Sequence, residues 1–197
     1  VALHATKIGN INSGDSVAVI GTGMIGFAAA QWALKLGAHS VTVLGRNLEK
    51  KKIADMMDNI RYALVDEVKD KFDLVIEAVG SNTSIETTIN LVKAGGRIVL
   101  MGNPEGDIHL SQNMYWKILR RQLKIFGTWN STYKSQLYSD WEEVVEALHN
   151  RTIKARMLIT HVFEQRDLTQ ALEMMKQHKE VVCKVMTVWN NVDKIGV

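Results

Sequence analysis

The chain has 197 residues, of which 46% are hydrophobic and 23% are charged, values typical of one globular domain with a short extension. A net charge of +3 with dispersed basic residues argues against a nucleic-acid-binding protein. The single cysteine, Cys183, excludes an internal disulfide and predicts a reducing compartment, the cytoplasm. Because the chain begins at Val1 without a signal peptide, we expect a piece of a longer protein.

Short apolar segments rich in β-branched residues alternate with helical segments along the chain. The predicted strands are residues 16–20, 40–44, 73–79, 97–101, 123–129 and 181–188. The predicted helices are residues 24–36, 48–57, 81–93, 140–149 and 167–178. This alternation predicts an α/β protein with a Rossmann-type, doubly wound parallel sheet and helices on both faces.

Residues 16–34 carry no charge and have about the length that a bilayer requires. Gly21, Gly23 and Gly26 interrupt this run with turn chemistry. A buried strand followed by a buried helix has the same composition, so we predict no membrane span.

The glycine-rich turn GTGMIG lies directly between the first predicted strand and the first predicted helix. This setting is typical of a dinucleotide-binding turn, in which the pyrophosphate rests on the free amides at the helix N-terminus. The alternative is a glycine turn required only for packing. We predict cofactor contacts from all six residues: Gly21, Thr22, Gly23, Met24, Ile25 and Gly26.

The end of the second predicted strand indicates which dinucleotide is bound. NAD-binding domains have an acidic residue there, which accepts hydrogen bonds from the ribose hydroxyls. Here Gly45 holds that position and Arg46 follows it, which favours the 2′-phosphate of NADP(H) over NAD(H). Asn47 is placed to bond the phosphate or cap the next helix, and Lys50 to add positive potential. The alternative is a solvated Arg46 with loose specificity, so NAD stays possible.

Ligands in open α/β sheets lie beyond the carboxyl ends of the strands. Small or polar residues follow three more predicted strands and are further candidates for cofactor binding: Ala78, Val79, Gly80, Gly102, Asn103, Gly127 and Thr128. The glycines among them can equally well serve only to end strands. Glu77, inside an apolar strand, needs a hydrogen-bonding partner that the sequence does not reveal.

The sequence shows no arrangement for the chemistry of hydride transfer itself. The six histidines and one cysteine have no zinc-ligand spacing, and no tyrosine precedes a lysine by four residues. We therefore predict no catalytic and no metal-binding residue in this chain.

Several segments together carry a family resemblance. They are VALHA (residues 1–5), the GTGMIG turn, EAVG (77–80), Gly102 after RIVLM, GDIHLS (106–111), KILRRQLKIFGTWN (117–130), LITHVFE (158–164) and KVM (184–186). With them the chain resembles the medium-chain dehydrogenase/reductase family, most closely its zinc-containing sorbitol and galactitol-1-phosphate dehydrogenase branch.

The resemblance implies hydride transfer between a nicotinamide cofactor and a polyol or sugar phosphate in a homo-oligomer, a dimer or tetramer. It implies zinc ligands in a separate GroES-like domain, none of which is present here, and it places His4 near the domain seam. Residues 1–160 would be the dinucleotide-binding domain, and residues 161–197 would return to the missing domain. The branch usually uses NAD, and Gly45 and Arg46 differ from the pattern expected for NAD at this position.

A different class of function stays open, a non-catalytic dinucleotide-binding module that acts as a sensor or assembly piece. Both functions require the cofactor. They differ in whether zinc ligands precede Val1 in the parent gene, which the upstream reading frame would reveal.

Overall fold

The computed structural model describes residues 1–133, 139–177 and 179–189. Its strands are β1 (Ser16–Ile20), β2 (Ser40–Gly45), β3 (Ile60–Leu64), β4 (Phe72–Glu77), β5 (Val92–Leu100), β6 (Lys124–Gly127), β7 (Ile159–Glu164) and β8 (Lys184–Val188). Its helices are α1 (Ala2–Ile8), α2 (Met24–Lys35), α3 (Lys51–Asp55), α4 (Asn82–Leu91), α5 (Gln112–Arg120), α6 (Asp140–His149) and α7 (Leu168–Gln177). Short 3-10 turns lie at Arg156–Leu158 and Gln165–Asp167.

Six of the strands form one parallel sheet in the order β3-β2-β1-β4-β5-β6. The chain runs outward from β1 to β3 and then returns to the other side of β1 with β4. Val17 accordingly pairs with Val41 of β2 on one side and with Leu74 of β4 on the other. This reversal of strand order next to β1 creates the crevice in which α/β proteins bind their ligands.

Alternate residues of the central strands enter two separate cores. Val17 and Val19 pack with Phe27 of α2 on one face, and all three side chains are buried. Ala18 and Ile20 pack on the other face with Ile89 of α4. Helices therefore cover both faces of the sheet, and the predicted Rossmann-type α/β class is confirmed.

The structure adds elements that the sequence analysis did not predict, namely α1, β3, α5 and β7. β3 (IRYAL) has a mixed, half-exposed pattern because it is an edge strand, and α5 has no buried residue. The predicted helix 48–57 forms only over Lys51–Asp55. β5 begins earlier than predicted, directly where α4 ends. The predicted helix 167–178 ends at Gln177, and His178 lies outside the described residues.

The final predicted strand does not join the main sheet. It forms as β8, which pairs in parallel with β7 in a separate two-stranded sheet. Leu158, just before β7, is buried in the core on the α2 face, and Val181 and Cys183 pack against the same core. The division at residue 160 stays a prediction, and its last part lies beyond the described residues. Within the described part of the chain, no helix has the length and apolarity that crossing a bilayer requires.

Candidate functional site

The turn between β1 and α2 is built by its glycines. Gly21 has φ +123°, a conformation that favours glycine, and its N–H donates to the Leu44 carbonyl at 3.2 Å. A Cβ on Gly26 would overlap the Gly21 carbonyl oxygen, so only glycine lets α2 start this close to the turn. Gly23 is the N-cap of α2 and supplies no side-chain cap, which leaves amides at the helix N-terminus without a side-chain partner.

Space for a ligand lies directly beside this turn. Nothing lies within 4 Å of the position that a Cβ on Gly23 would take, so the backbone is open to close approach. A cleft of about 620 Å³ extends from the turn across the carboxyl ends of β1, β2 and β4. Its lining residues are Ile20, Gly21, Thr22, Gly23, Leu44, Gly45, Arg46, Val65, Ala78, Val79, Ser81, Thr83, Ser84 and Thr87. A cleft at the N-terminus of α2 fits an anionic nucleotide.

The cleft brings together seven of the predicted residues, which are Gly21, Thr22, Gly23, Gly45, Arg46, Ala78 and Val79. A hydroxyl-bearing wall at the start of α4 also lines the cleft, formed by Ser81, Thr83, Ser84 and Thr87, and the sequence analysis did not predict Thr83, Ser84 and Thr87 there. A signal for it was present, because Ser81 and Ser84 form a reciprocal capping box. Val65, which follows β3, was missed because β3 itself was not predicted.

Arg46 gives the cleft its charge. The side chain is exposed, and no ion pair or hydrogen bond holds it among the residues that the structure describes. No carboxylate lines the cleft within those residues. Among the described residues, the lining of the cleft therefore carries the cation of Arg46 and no carboxylate.

Gly45 has no side chain, but another residue fills the space beside it. A Cβ there would overlap the hydroxyl oxygen of Tyr62, which reaches across from β3. That hydroxyl donates a hydrogen bond to the Asn47 carbonyl at 2.6 Å. Partial burial raises the pKa of Tyr62, and the negative charge of Glu49 raises it further. The hydroxyl therefore stays protonated and remains a donor at neutral pH.

Other predicted residues near this end lie outside the cleft lining. Met24 and Ile25 are exposed on the first turn of α2, whereas Gly26 is buried beneath it. Asn47 does not cap α3, because its side chain accepts from the Glu49 N–H at 3.1 Å. Lys50 is instead the N-cap residue of α3.

The remaining predicted residues lie at the ends of β4, β5 and β6. A Cβ on Gly80 would lie 2.5 Å from the Asn103 carbonyl oxygen, and one on Gly102 would overlap the Gly80 nitrogen, so these two loops interlock. Gly127 ends β6, and the next residue, Thr128, donates its N–H to the Leu100 carbonyl at 3.2 Å. These residues form a second group that does not line the cleft.

Two buried oxygen atoms at these strand ends have no hydrogen-bond partner within the described ranges. They are Oε2 of Glu77 and Oγ1 of Thr128. The other carboxylate oxygen of Glu77 accepts from the Val79 N–H at 2.8 Å and from the Gly80 N–H at 2.9 Å. These backbone amides are the partner that the sequence did not reveal, and they fix the loop that carries Val79 into the cleft.

The residues that the structure describes do not form a zinc site. Over residues 1–133, 139–177 and 179–189, no three His, Cys, Asp or Glu side chains come close enough to hold a metal ion. His4 is engaged elsewhere, with Nδ1 at 3.0 Å from Oδ2 of the buried Asp140 at the start of α6. This contact joins α1 to α6 and leaves no metal cluster around His4.

The six-stranded parallel sheet and its glycine turn define a Rossmann-type α/β domain. Residues 25–150 match the family described as zinc-binding dehydrogenase, and the chain belongs to that family. The resemblance to zinc-containing medium-chain dehydrogenases is thereby confirmed.

Relatives with assigned names are similar over most of this chain. Galactitol 1-phosphate 5-dehydrogenase of Escherichia coli K12 is 27% identical over 183 residues, which cover 87% of this chain and 53% of that protein. Sorbitol dehydrogenase of Halalkalibacterium halodurans is 27% identical over 194 residues, which cover 90% of this chain and 53% of that protein. The chain thus spans about half the length of the curated relatives it matches.

Solved structures with the same fold give the same proportion. Galactitol-1-phosphate dehydrogenase from Escherichia coli superposes with a TM-score of 0.80 at 25% identity, covering 93% of this chain and 56% of that one. A zinc-binding dehydrogenase from Sinorhizobium meliloti bound to NADP has a TM-score of 0.77 at 20% identity, covering 95% and 56%. A short chain alcohol dehydrogenase from Escherichia coli CFT073 complexed with NADH has a TM-score of 0.77 at 25% identity, covering 95% and 56%.

Proposed function

We propose that this chain is the NADP(H)-binding half of a zinc-dependent alcohol, polyol or sugar-phosphate dehydrogenase. The whole enzyme would transfer hydride between the nicotinamide ring and a secondary alcohol or ketose. The observation that carries the proposal is the cleft itself, which starts at the glycine turn and ends at Arg46 without a carboxylate among its described lining residues.

The glycine turn is suited to the diphosphate of a dinucleotide. The N-terminal end of α2 provides amide donors and the positive end of a helix dipole, and Gly23 lets the diphosphate approach the backbone. The hydroxyl-bearing wall at α4 and the exposed Val79 line the cleft opposite the end of β2, so an adenosine whose ribose lies at the end of β2 would fit between them. Two solved structures of this fold hold nicotinamide cofactors, which supports the same cofactor class here.

The strand ends beyond the cleft are suited to the nicotinamide. The loops after β5 and β6 carry backbone groups that can bond a carboxamide. The Oγ1 atom of Thr128 lies there and has no hydrogen-bond partner among the described residues. A group that fixes the carboxamide also fixes which face of the ring is presented to substrate. This chain would therefore orient the hydride-bearing carbon, while the zinc that polarises the substrate oxygen would be held by residues outside it.

Preference for NADP(H) follows from the charge at the end of β2. A carboxylate at position 45 would bond ribose hydroxyls and repel a 2′-phosphate, and this chain has Gly45 there. Arg46 is exposed at the cleft and can bond the phosphate with two parallel N–H groups.

Calorimetric titration with NADP+ and NAD+ tests this preference. We expect NADP+ to bind more tightly, and Arg46→Ala to weaken NADP+ binding about 10- to 100-fold, since a hydrogen-bonded charge pair contributes about 1.5–3 kcal/mol. Arg166→Ala is the matched control, because Arg166 lies beyond the cleft beside β7. Tighter binding of NAD+, or no effect of Arg46→Ala, would contradict the NADP assignment.

The substrate class is proposed from the relatives, whose names include a sugar-phosphate and a polyol dehydrogenase. The proposal extends to a homo-oligomeric assembly, a dimer or tetramer, and to a cytoplasmic location, in keeping with a single cysteine whose thiol pKa burial raises. A panel of polyols and sugar phosphates, assayed with the full-length parent protein and both cofactors, would identify the substrate.

A further inference from the structure

The space at the end of β2 is occupied by a residue from the neighbouring strand. Gly45 is buried, and a Cβ there would overlap the Tyr62 hydroxyl oxygen and lie 2.6 Å from the ring carbon Cζ. On the side of the glycine turn it would also lie 3.0 Å from Cγ2 of Thr22. No side chain fits at position 45 while Tyr62 keeps its place.

Tyr62 is fixed by its strand and by its hydroxyl. It pairs with Val43 in the β2–β3 register, and its half-buried ring packs against the core on the α2 face. Its hydroxyl donates to the Asn47 carbonyl at 2.6 Å. To make room at position 45, Tyr62 would have to give up both the packing and the hydrogen bond.

The same hydrogen bond ties down the segment that carries Arg46. Asn47 is the next residue in the chain, and its own side chain accepts from the Glu49 N–H, which closes the turn between β2 and α3. Two hydrogen bonds to Asn47, one to its carbonyl and one to its side chain, therefore fix the backbone next to Arg46 at the edge of the cleft.

We propose that Tyr62 is a specificity-determining residue for the cofactor: it excludes an acidic side chain from position 45 and holds the turn that presents Arg46 to a ribose 2′-phosphate. This inference rests on the proposed function, in which the cleft binds a dinucleotide. It predicts that residues 45 and 62 act as a coupled pair, so that neither alone determines whether NAD(H) is accepted.

Thermal unfolding tests the steric part without any cofactor. In the presence of Tyr62, we expect Gly45→Ala to lower Tm by about 5 °C, because overpacking forces side chains or backbone to move. In a Tyr62→Ala background the same change should lower Tm much less, because only the 3.0 Å approach to Cγ2 of Thr22 remains. In a Tyr62→Phe background, Gly45→Ala should lower Tm by an intermediate amount, because Phe lacks the hydroxyl but keeps Cζ.

Gly106→Ala is the matched control, since nothing lies within 4 Å of the position of a Cβ on Gly106. An equal Tm cost of Gly45→Ala in both backgrounds would overturn the steric exclusion.

Cofactor titration tests the specificity part with Gly45→Asp, Tyr62→Ala and the double variant. Relative to Tyr62→Ala, the double variant should bind NAD+ about tenfold more tightly and NADP+ at least about tenfold more weakly, since the new carboxylate bonds the ribose and repels the phosphate. With Tyr62 present, Gly45→Asp should gain no NAD+ affinity. A single variant that fails to fold where the double variant folds supports the exclusion as well.

An equal gain of NAD+ affinity by Gly45→Asp with and without Tyr62 would overturn the inference. Its failure is distinguishable from that of the proposed function. Tighter NAD+ binding by the unaltered chain contradicts the NADP assignment, and the dependence of Gly45→Asp on residue 62 is still read from the same titrations. If the unaltered chain binds neither dinucleotide, both the function and the specificity role fail.

Discussion

Glu77 is a buried carboxylate at the last position of β4, 1% exposed, in a strand that is otherwise apolar. Its partners are the amides of Val79 and Gly80, two and three residues further along the chain. The polar residue in an apolar run could be recognised in the sequence. Its partner could not, because the loop must first turn back over the strand end.

Replacing Glu77 by Ala should destabilise the domain by about 2–3 kcal/mol, because the N–H groups of Val79 and Gly80 would lose their charged acceptor. Glu77→Gln keeps an acceptor oxygen and should cost less. Urea unfolding measures both. Glu67→Ala is the control at an exposed glutamate, and a cost for Glu77→Ala no larger than that of the control would contradict this role.

Gly26 makes a sharper prediction at the same scale. Gly26→Ala places a Cβ on the Gly21 carbonyl oxygen, so the turn must open to accept it. We expect a loss of about 1–3 kcal/mol in unfolding free energy and at least tenfold weaker dinucleotide binding. Ala28→Gly serves as a control for helix propensity one turn inside α2. Unchanged cofactor affinity in Gly26→Ala would show that the turn does not hold the diphosphate.

At the scale of elements, the apolar central strands could be predicted from the sequence, whereas the edge strand β3 and the exposed helix α5 could not. β1, β2 and β4 are buried on both faces, so their composition alone identifies them. β3 borders the sheet and α5 buries no side chain, so neither has the pattern of a core element. Because β3 was not predicted, the positions of Tyr62, which lies in this strand, and of Val65, which follows it, were not predicted either.

One carboxylate, Asp73, joins the N-terminal ends of β1 and β4. It accepts from the Ser16 N–H at 2.9 Å, from the Ser16 hydroxyl at 2.7 Å and from Lys93 at 2.8 Å. Partial burial by itself raises the pKa of Asp73, but these hydrogen bonds and the charge of Lys93 outweigh it and lower the pKa from 3.8 to about 2. Stability from this group is therefore fully present above pH 3.8 and is lost as the pH falls towards 2.

Asp73→Asn should remove the part of the pH dependence of stability that comes from this carboxylate. After allowance for solvent screening, we expect it to cost about 1 kcal/mol at neutral pH and little near pH 2. Urea unfolding at a series of pH values measures the difference between the two proteins. An Asp70→Asn control retains the Asp73 contacts, since Asp70 pairs with the exposed Arg61 and not with Asp73, Ser16 or Lys93. A cost for Asp73→Asn that is the same at pH 7 and pH 2 would contradict the assignment.

At the scale of the whole molecule, the chain spans about half the length of the relatives it matches. Large apolar side chains on α6, α7 and the end of β8 are exposed, among them Trp141 at 62%, Leu172 at 59% and Trp189 at 65%. The cleft proposed to bind the cofactor is formed within this chain, whereas the described residues form no metal cluster.

We therefore expect the isolated chain to bind NADP(H) but to show no turnover with polyols or sugar phosphates, even with added zinc. Nicotinamide absorbance follows turnover, and elemental analysis follows the metal. The full-length parent protein, assayed alongside, is the positive control. Turnover by the isolated chain, or stoichiometric zinc bound to it, would contradict this division of labour.

The contact between Tyr62 and the bare backbone at position 45 restricts the routes by which descendants of this gene can exchange cofactors. If Tyr62 has the proposed role, a mutation that first introduces an acid at position 45 would overlap the tyrosine hydroxyl and would impair binding of either dinucleotide. If the tyrosine is shortened first, the intermediate protein would have room for an acidic side chain at position 45. The order of the two mutations, more than their number, would decide which descendants survive.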